Sequence, residues 1–567
     1  MKQVQVACDG AAVPQADAGV LNRSLNHRGP EANVNLRIQS PASTLLARVE
    51  DRAADLVRLA SYVYAADQSV SRGGESDAHG DAWKRHFTLH MPVSDPEFWN
   101  QGPVLRSLTE TLNFASEDAW DFQFAPLATE QAQLTLELDP NSVLGNPDTV
   151  YLFSGGLDSL CAVLEAAVLQ GRRPLLLSHS PAFNIKNRQY ALGGAIKVLF
   201  GDTWSFPQIS VAIHRTGADA SDYSQRTRSF LFASLGAVIA DRLNISDVCL
   251  ADNGVVSLNL PINGQLIGAR ASRSTHPKFL RLFNQLIYEV FPDPPTVSNP
   301  LWNRTRTEAL EVLRETNSVA LAEETNSCSH GRYRTLMQPH CGVCSQCIDR
   351  RFATVAADMV DYDPPERYGV DIFRQALPSP KDRTMALSYV RFASEVELLD
   401  ETGLFVKYPE LYECVDPNDP QAETVAGNLA TMIKRHAKSV MEVIEDQIVM
   451  AKANLARGAL PADCLLPLVA GSGETSGSAQ TDFFRHSPDY REVWLGDNKF
   501  DLTTNQARVV ELLDQQRLAS VSALSQAYIL ENLEIVSRNL SQVFRGSSAW
   551  QQLIVTAEGR GMYRLKV

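Results

Sequence analysis

The chain has 567 residues, 44% of them hydrophobic and 21% charged, with a net charge of −14. That length suffices for about two to four domains with full cores, and the acidic balance argues against broad nucleic-acid or anionic-membrane binding while leaving a local basic cleft open. Nine cysteines are too few for a disulfide scaffold, no run approaches the roughly 18 apolar residues that span a bilayer, and MKQVQVACDGAAVPQADAG has no apolar signal-peptide core, so a cytoplasmic location is expected.

Residues 1–147 read as an N-terminal α+β accessory domain. Leu56, Leu59, Ala60 and Val63 mark an amphipathic helix, and Phe87, Leu89 and Met91 alternate with His86, Thr88 and His90 as in a half-buried strand. Leu134, Leu136 and Leu138 repeat that alternation before the proline-bearing connection from Asp139 to Pro147. His86 and His90 share a strand face, but without a third ligand a solvent-facing pair is the better reading than a metal site. A structural or partner-binding role is the default for this domain.

From 148 to about 360, strand and helix signals alternate, as in a parallel sheet covered on both faces. The strand candidates are Val150–Phe153, Pro174–His179, Gln208–Ile213 and Asp247–Ala251. After the first comes Ser154-Gly155-Gly156-Leu157-Asp158-Ser159, then Leu160, Val163, Leu164, Ala167 and Val168 at helical spacing. Two glycines let the backbone turn and approach a ligand, and Ser154, Ser159 and the free N–H groups of a helix start suit a phosphate there. Ser-Gly-Gly alone is equally a plain turn. Asp158 tips the balance, because a carboxylate at that helix start would repel a bare phosphate unless a divalent cation lies between. The Walker pattern is absent.

In parallel sheets ligands bind at the carboxyl ends of strands, which brings in Ser178-His179-Ser180 and Asp252-Asn253-Gly254. His179 and Asn253 are the substrate-binding candidates there, although Asn253-Gly254 is equally a turn. Arg226 and Arg228 stand at the start of an apolar helix, where the helix dipole disfavours cations. A nearby anionic ligand would resolve that conflict, and solvation of both is the alternative.

Cys328 is followed after twelve residues by Cys341, Cys344 and Cys347 in CGVCSQC. Four thiolates on a turn-rich segment suit a closed, structural, tetrahedral Zn²⁺ site, with an iron–sulfur cluster as the competing use. His330 and His340 are read as bystanders, and Cys8, Cys161, Cys249, Cys414 and Cys464 as small core residues.

Residues 361–469 read as a helical extension in which Leu429, Met432, Ile433, Val440, Val443 and Ile444 keep one face of a long helix apolar. AGSGETSGSAQ lies in a flexible linker, 470–485. In 486–567, helices near Asn505–Asp514, Val521–Tyr528 and Leu533–Phe544 precede a hairpin ending in EGRGMYRL. From 491 onwards nine basic residues face eight acidic ones, which favours protein docking over DNA, with Arg538 and Arg545 as the residues to test for the latter.

Ser-Gly-Gly-x-Asp-Ser resembles the PP-loop of the adenine-nucleotide alpha-hydrolase superfamily, whose members cut ATP between the α and β phosphates. Together with Asn299-Pro300-Leu301-Trp302 and the four cysteines just beyond, residues 148 to about 355 resemble the 7-cyano-7-deazaguanine synthase (QueC) family. The resemblance implies an α/β fold with a Rossmann-like parallel core, and ATP and Mg²⁺ beside Zn²⁺. It implies adenylation of the carboxylate of a 7-carboxy-7-deazaguanine, then attack by an amine. Ser154, Gly155, Gly156, Leu157, Asp158 and Ser159 would hold pyrophosphate, Asp158 with the metal, and Arg228 matches the family's arginine near the phosphates. Two departures stand out: PAFNIKNRQY from Pro181 replaces a Gln-Arg-His cluster, and DNGVVSLNLP from Asp252 replaces an Asp-Tyr-Ser-Gly-Tyr-Pro-Asp pattern. The nitrile-forming second step of the family is thereby in doubt.

The last segment resembles a winged helix, and large QueC-like chains with such additions resemble the QatC type of antiphage systems. That implies transfer of the acyl group to a protein amine, with a partner from the same operon as acceptor. Ordinary deazaguanine biosynthesis, an idle ATP-sensing scaffold and a winged-helix regulator are the alternatives.

Overall fold

The computed structural model describes residues 1–14, 19–27, 31–39, 47–48, 51–72, 84–127, 135–136, 146–179, 183–201, 207–215, 226–261, 273–329, 334–335, 337–474, 484–487, 490–495, 498–518, 523–533, 535, 537, 539–557 and 561–566. Two compact units emerge. One runs from Met1 to Leu465 apart from a short stretch after Ile262, and the other begins at Leu466.

The first unit holds two sheets. Strands β1 (Lys2–Cys8), β2 (Leu21–Leu25), β3 (Val34–Gln39), β4 (Ala47–Arg48), β5 (Arg85–Val93), β6 (Ala119–Pro126) and β7 (Thr135–Leu136) come from the N-terminal quarter. Four of them form a sheet in the order β2-β1-β5-β6, and every pair is parallel. The N-terminal region is therefore a parallel α/β layer rather than the α+β mix expected. Nor does it keep a core of its own. β3 leaves to become the antiparallel edge of the second sheet, and one continuous hydrophobic cluster runs from Val4, Leu56 and Phe87 to Leu175, Phe230 and Val297.

The second sheet adds β8 (Thr149–Leu152), β9 (Pro174–His179), β10 (Gln208–Arg215), β11 (Asp247–Leu250) and β12 (Thr296–Ser298), in the order β12-β11-β8-β9-β10-β3. All but β3 are parallel. This is a doubly wound, Rossmann-like arrangement: the chain moves outward from β8 through β9 to β10, then crosses back to β11 and β12. The order reverses between β8 and β11, and ligands in such sheets bind in the crevice at the carboxyl ends of the strands flanking that point. The expected apolar stripe is observed, with Leu160, Val163, Leu164 and Ala167 all fully buried behind β8.

Leu56, Leu59, Ala60 and Val63 are likewise buried on the helix Asp51–Ser69. His90, expected towards solvent with His86, is only 4% exposed and its Nε2 lies 2.6 Å from Gln5 Oε1 across the first sheet. His86 meets Asp121 at 2.6 Å. Arg226 is also buried rather than solvated, paired with Glu117, while the next residue, Thr227, donates from its N–H and hydroxyl to Asp67 at 3.2 and 3.0 Å. Asp67 in turn holds Arg85. This ionic junction fixes the start of the helix Arg228–Leu243 against the N-terminal layer.

Beyond the cysteines, the helices Pro380–Leu398 and Ala422–Ala456 close the first unit. Leu429, Met432, Ile433, Val440, Val443 and Ile444 are all buried, as their spacing implied.

The second unit takes in all but the first residue of the helix Leu465–Glu474, whose last five residues fall in the stretch expected as linker. It contains an antiparallel sheet of β13 (Phe484–His486), β14 (Glu492–Leu495) and β15 (Asn498–Asp501), which sequence reading missed. Then come the helices Thr504–Leu518, Gln526–Asn532 and Leu540–Val543 and a small sheet of β16 (Leu524–Ser525), β17 (Ile554–Thr556) and β18 (Met562–Leu565) in the order β16-β18-β17. Val509, Val510, Ile529, Leu540 and Ile554 form its core. Leu134, Leu138, Ser180, Pro181, His330, Arg538 and the whole 475–483 stretch lie outside the described residues.

Candidate functional site

β8 ends at Leu152 and the helix Leu157–Leu164 begins five residues later, so the Ser154–Ser159 loop sits at the carboxyl edge of the sheet, beside the point where strand order reverses. Gly155 has φ +79°, a left-handed conformation that only glycine adopts freely, and a Cβ there would meet Gln189 Cγ at 3.2 Å. Ser154 Oγ and Ser159 Oγ lie 3.2 Å apart, and the Ser159 hydroxyl donates to the Gly156 carbonyl at 2.9 Å. Gly156 N–H donates to Ser154 Oγ at 3.1 Å. Two hydroxyls and a helix start therefore converge on one turn, the chemistry that receives a phosphate.

Asp158 behaves differently from the expectation. Its Oδ1 accepts from Arg306 Nε at 2.9 Å, and its Oδ2 accepts from Arg306 Nη2, from the Asn253 N–H and from Asn253 Nδ2, each at 3.0 Å. Burial alone would raise its pKa, but the Arg306 guanidinium and the Asn253 donors hold the carboxyl below the usual range. With both oxygens taken, this carboxylate does not fit direct coordination of Mg²⁺. The negative charge that would oppose a phosphate is balanced by a buried arginine instead. Arg306 also pairs with Asp349 at 3.0 Å, and Tyr389 Oη donates to Asp349 at 2.8 Å, so the loop is tied to the helices Ser345–Ala356 and Pro380–Leu398.

Asn253, expected to face substrate, has its amide committed: Nδ2 to Asp158, and Oδ1 to the Val256 N–H at 3.1 Å. It positions the loop. The next residue must be glycine, because a Cβ on Gly254 would lie 2.4 Å from the Trp302 carbonyl oxygen. His179, the other substrate candidate, packs its ring against Phe232 and edge-on to Tyr64, with centroids 4.7 and 6.1 Å away. Arg228 is exposed at its helix start, near enough for its charge to act on Asp252.

Sequence reading missed three contributors. Gln189 is buried and its Nε2 donates to the carbonyls of Ser154 and His179, at 3.2 and 2.9 Å, fixing the spacing of β8 and β9 where they end. Arg306 stands at the first position of a helix whose capping box, Thr305 with Glu308, is legible in the sequence. A cation there is the same anomaly that drew attention to Arg226 and Arg228, and it was the available signal. Asp349 carries no such mark.

Asp252, placed by the sequence at a strand's carboxyl end without a role of its own, lies just beyond β11. Its Oδ2 accepts the Thr275 hydroxyl at 3.0 Å. Burial and the neighbouring Asp158 charge push its carboxyl up to about 6, against the Thr275 bond and the charges of Arg306 and Arg228. A carboxyl raised in the folded state is neutral in both states below about pH 4 and costs stability as pH rises through about 6. Asp252→Asn is thus expected to raise the unfolding midpoint at pH 8, by the equivalent of about 1–3 kcal/mol, and to leave it unchanged near pH 4. Thermal melts at the two pH values check this.

The four cysteines come together as expected. Their sulfurs all lie within 4.8 Å of one another, with Cys341 and Cys347 at 3.8 Å, and the Cys344 N–H donates to Cys341 Sγ at 3.3 Å. Thiolate ligands 2.3 Å from a tetrahedral ion are about 3.8 Å apart, so the set fits zinc. Gly342, at φ +84°, makes the tight turn between two of them. His340 is neutral, its pKa pushed down to about 2 by burial and the Arg350 charge, and it stands outside the set. Arg350 anchors the following helix through Asp363, at 3.1 and 3.0 Å, and through the Thr325 hydroxyl at 2.7 Å.

No family model, no curated protein and no solved structure matches the chain. No helix among the described residues is long and apolar enough to cross a membrane.

Proposed function

We propose that the chain is a QueC-like, ATP-dependent carbon–nitrogen ligase that adenylates the carboxylate of a 7-carboxy-7-deazaguanine-type acid and passes the acyl group to an amine of a partner protein in antiphage defence. The observation that carries the reading is the Ser-Gly-Gly-Leu-Asp-Ser loop standing at the reversal point of a doubly wound sheet, braced from behind by Arg306 and Asn253. A nearby four-cysteine cluster of zinc geometry supports it further.

A carboxylate is a poor electrophile because its leaving group would be oxide. In the proposed reaction one carboxylate oxygen attacks the α-phosphorus of ATP, the bond to the β-phosphate oxygen breaks, and pyrophosphate leaves. Hydroxyls of Ser154 and Ser159 and the backbone N–H groups of Asp158 and Ser159 in the first turn of the helix receive the departing charge, and Arg228 adds a cation at the mouth of the crevice. The amine then attacks the acyl carbon, AMP departs, and the amine proton passes to Asp252, whose raised pKa suits a base near neutrality. No nucleophilic side chain is required, and rate comes from positioning and preorganised charge. Mg²⁺ normally accompanies such a nucleotide, but Asp158, with both oxygens taken, does not fit it. Zinc would be held by Cys328, Cys341, Cys344 and Cys347 and would supply folding energy rather than chemistry.

The second unit, with its three helices and terminal hairpin, is read as a winged-helix-like module that recruits the acceptor protein. Mass spectrometry of the chain with ATP, Mg²⁺, the acid and candidate acceptor proteins tests the whole reading. AMP with a mass adduct on the acceptor is expected. AMP with free nitrile would make the chain a biosynthetic enzyme, and no AMP would leave a nucleotide-sensing scaffold.

A further inference from the structure

We propose that Asn326 and Ser327 are positioning residues that couple the four-cysteine centre to the Ser154–Ser159 loop. The proposal rests on the zinc reading of that centre, and it stands apart from the identity of the acid or the amine.

The segment Asn326-Ser327-Cys328 is a strap with the loop on one side and a metal ligand at its end. Asn326 N–H donates to the Gly155 carbonyl at 2.9 Å, and the Leu157 N–H donates to Ser327 Oγ at 3.5 Å. Toward the cysteines, the Cys328 N–H donates to Asn326 Oδ1 at 2.9 Å. Arg350, on the helix that carries Cys347, donates to Ser327 Oγ at 3.4 Å and to Thr325 Oγ1 at 2.7 Å. The two pieces also lie side by side: a Cβ on Gly156 would make ordinary van der Waals contact with the Asn326 carbonyl oxygen at 3.6 Å and with Ser327 Oγ at 4.0 Å. The two strap residues therefore contact both structures, with Cys328 as a ligand of one and Gly155 and Leu157 as members of the other.

Cys328 is separated by twelve residues from the three remaining cysteines, which share one short turn and helix. A tetrahedral ion is what would hold the strap against that turn. Without it, the strap is free to withdraw, and the Gly155 carbonyl and Leu157 N–H lose their partners. Coupling of this kind is reciprocal in free energy: whatever ligand orders the loop must retard loss of the metal by the same factor.

The test uses the full chain loaded with zinc, compared with Ser327→Ala, Ser327→Thr, Asn326→Ala and metal-stripped parent. Zinc content is measured first, then amide hydrogen exchange of a peptide covering Phe153–Leu160, with Phe87–Met91 of the first sheet as reference. Ser327→Ala is expected to keep its zinc while exchange at the loop rises about 2- to 10-fold, the equivalent of one net hydrogen bond. Ser327→Thr, which keeps the hydroxyl, restores the parent rate. Stripped protein shows the same rise or more at the loop and none at Phe87–Met91. Inorganic pyrophosphate slows zinc transfer to a chromophoric chelator in the parent and fails to do so in Ser327→Ala. Loop exchange unchanged both by stripping and by Ser327→Ala would overturn the coupling. Coupling by exchange without any effect of pyrophosphate would uphold it and instead remove the phosphate-binding reading of the loop.

Discussion

Arg306→Met is expected to destabilise the first unit by about 3–5 kcal/mol, the usual penalty for removing one partner of a buried ion pair. Arg306 is fully charged between two buried carboxylates, Asp158 and Asp349, and its loss would strand both. The guanidinium also reaches Gln346 Oε1 at 2.8 Å, so the same change loosens the helix that carries Cys347. Lysine should not rescue it, since a single ammonium cannot reproduce the paired donation from Nε and Nη2 to the two oxygens of Asp158. Urea titration followed by tryptophan fluorescence measures the effect. A midpoint equal to the parent's would mean that Asp158 is supported from elsewhere.

Cys347→Ser is expected to have the larger effect. Cys347 is fully buried in the first turn of the helix Ser345–Ala356, packed with Cys341 and Tyr368. Serine offers a poor ligand for zinc, and binding free energy at such a centre is folding free energy. Zinc content should fall from about one equivalent to near none, and the segment from Thr325 to Tyr368 should become open to protease. Arg350 would not hold that segment alone, because its partners Asp363 and Thr325 lie on the stretches the ion brings together. Retention of a full equivalent of zinc, or of iron in its place, would change the assignment of the centre.

How far these features were legible in the sequence follows from how local their causes are. The strand Pro174–His179, the apolar stripe behind the first loop and the buried face of Leu429–Ile444 depend on periodicity within one element, and they stand where the pattern put them. The cysteine cluster was legible because metal ligation leaves its own spacing. β12 escaped notice because three residues give no period, and β3 because its pairing with β10 is set by a partner about 170 residues away. The boundary expected near 147 read a proline-bearing connection as the end of a core, whereas one hydrophobic cluster holds residues from both sides of it.

The site shows the same division. Ser154, Gly155, Gly156 and Ser159 were legible from the turn they make. The role of Asp158 was not, because its partners Asn253 and Arg306 stand 95 and 148 residues further along the chain. A carboxylate beside a phosphate-type loop calls for a cation between the two charges, but the sequence does not say whether that cation is a metal or a guanidinium. Arg226 posed the same question at another helix start, and Glu117 is the answer there. In both cases a charge that looked functional proved to be half of a buried pair.

The measurement that bears most directly on the proposed reaction is exchange of labelled pyrophosphate into ATP, with and without 7-carboxy-7-deazaguanine. Adenylation is reversible, so label should enter ATP only when the acid is present, and Asp252→Asn should retain that exchange while losing amide formation. Absence of exchange with the acid, in protein that holds its zinc, would contradict the proposed adenylation of that acid.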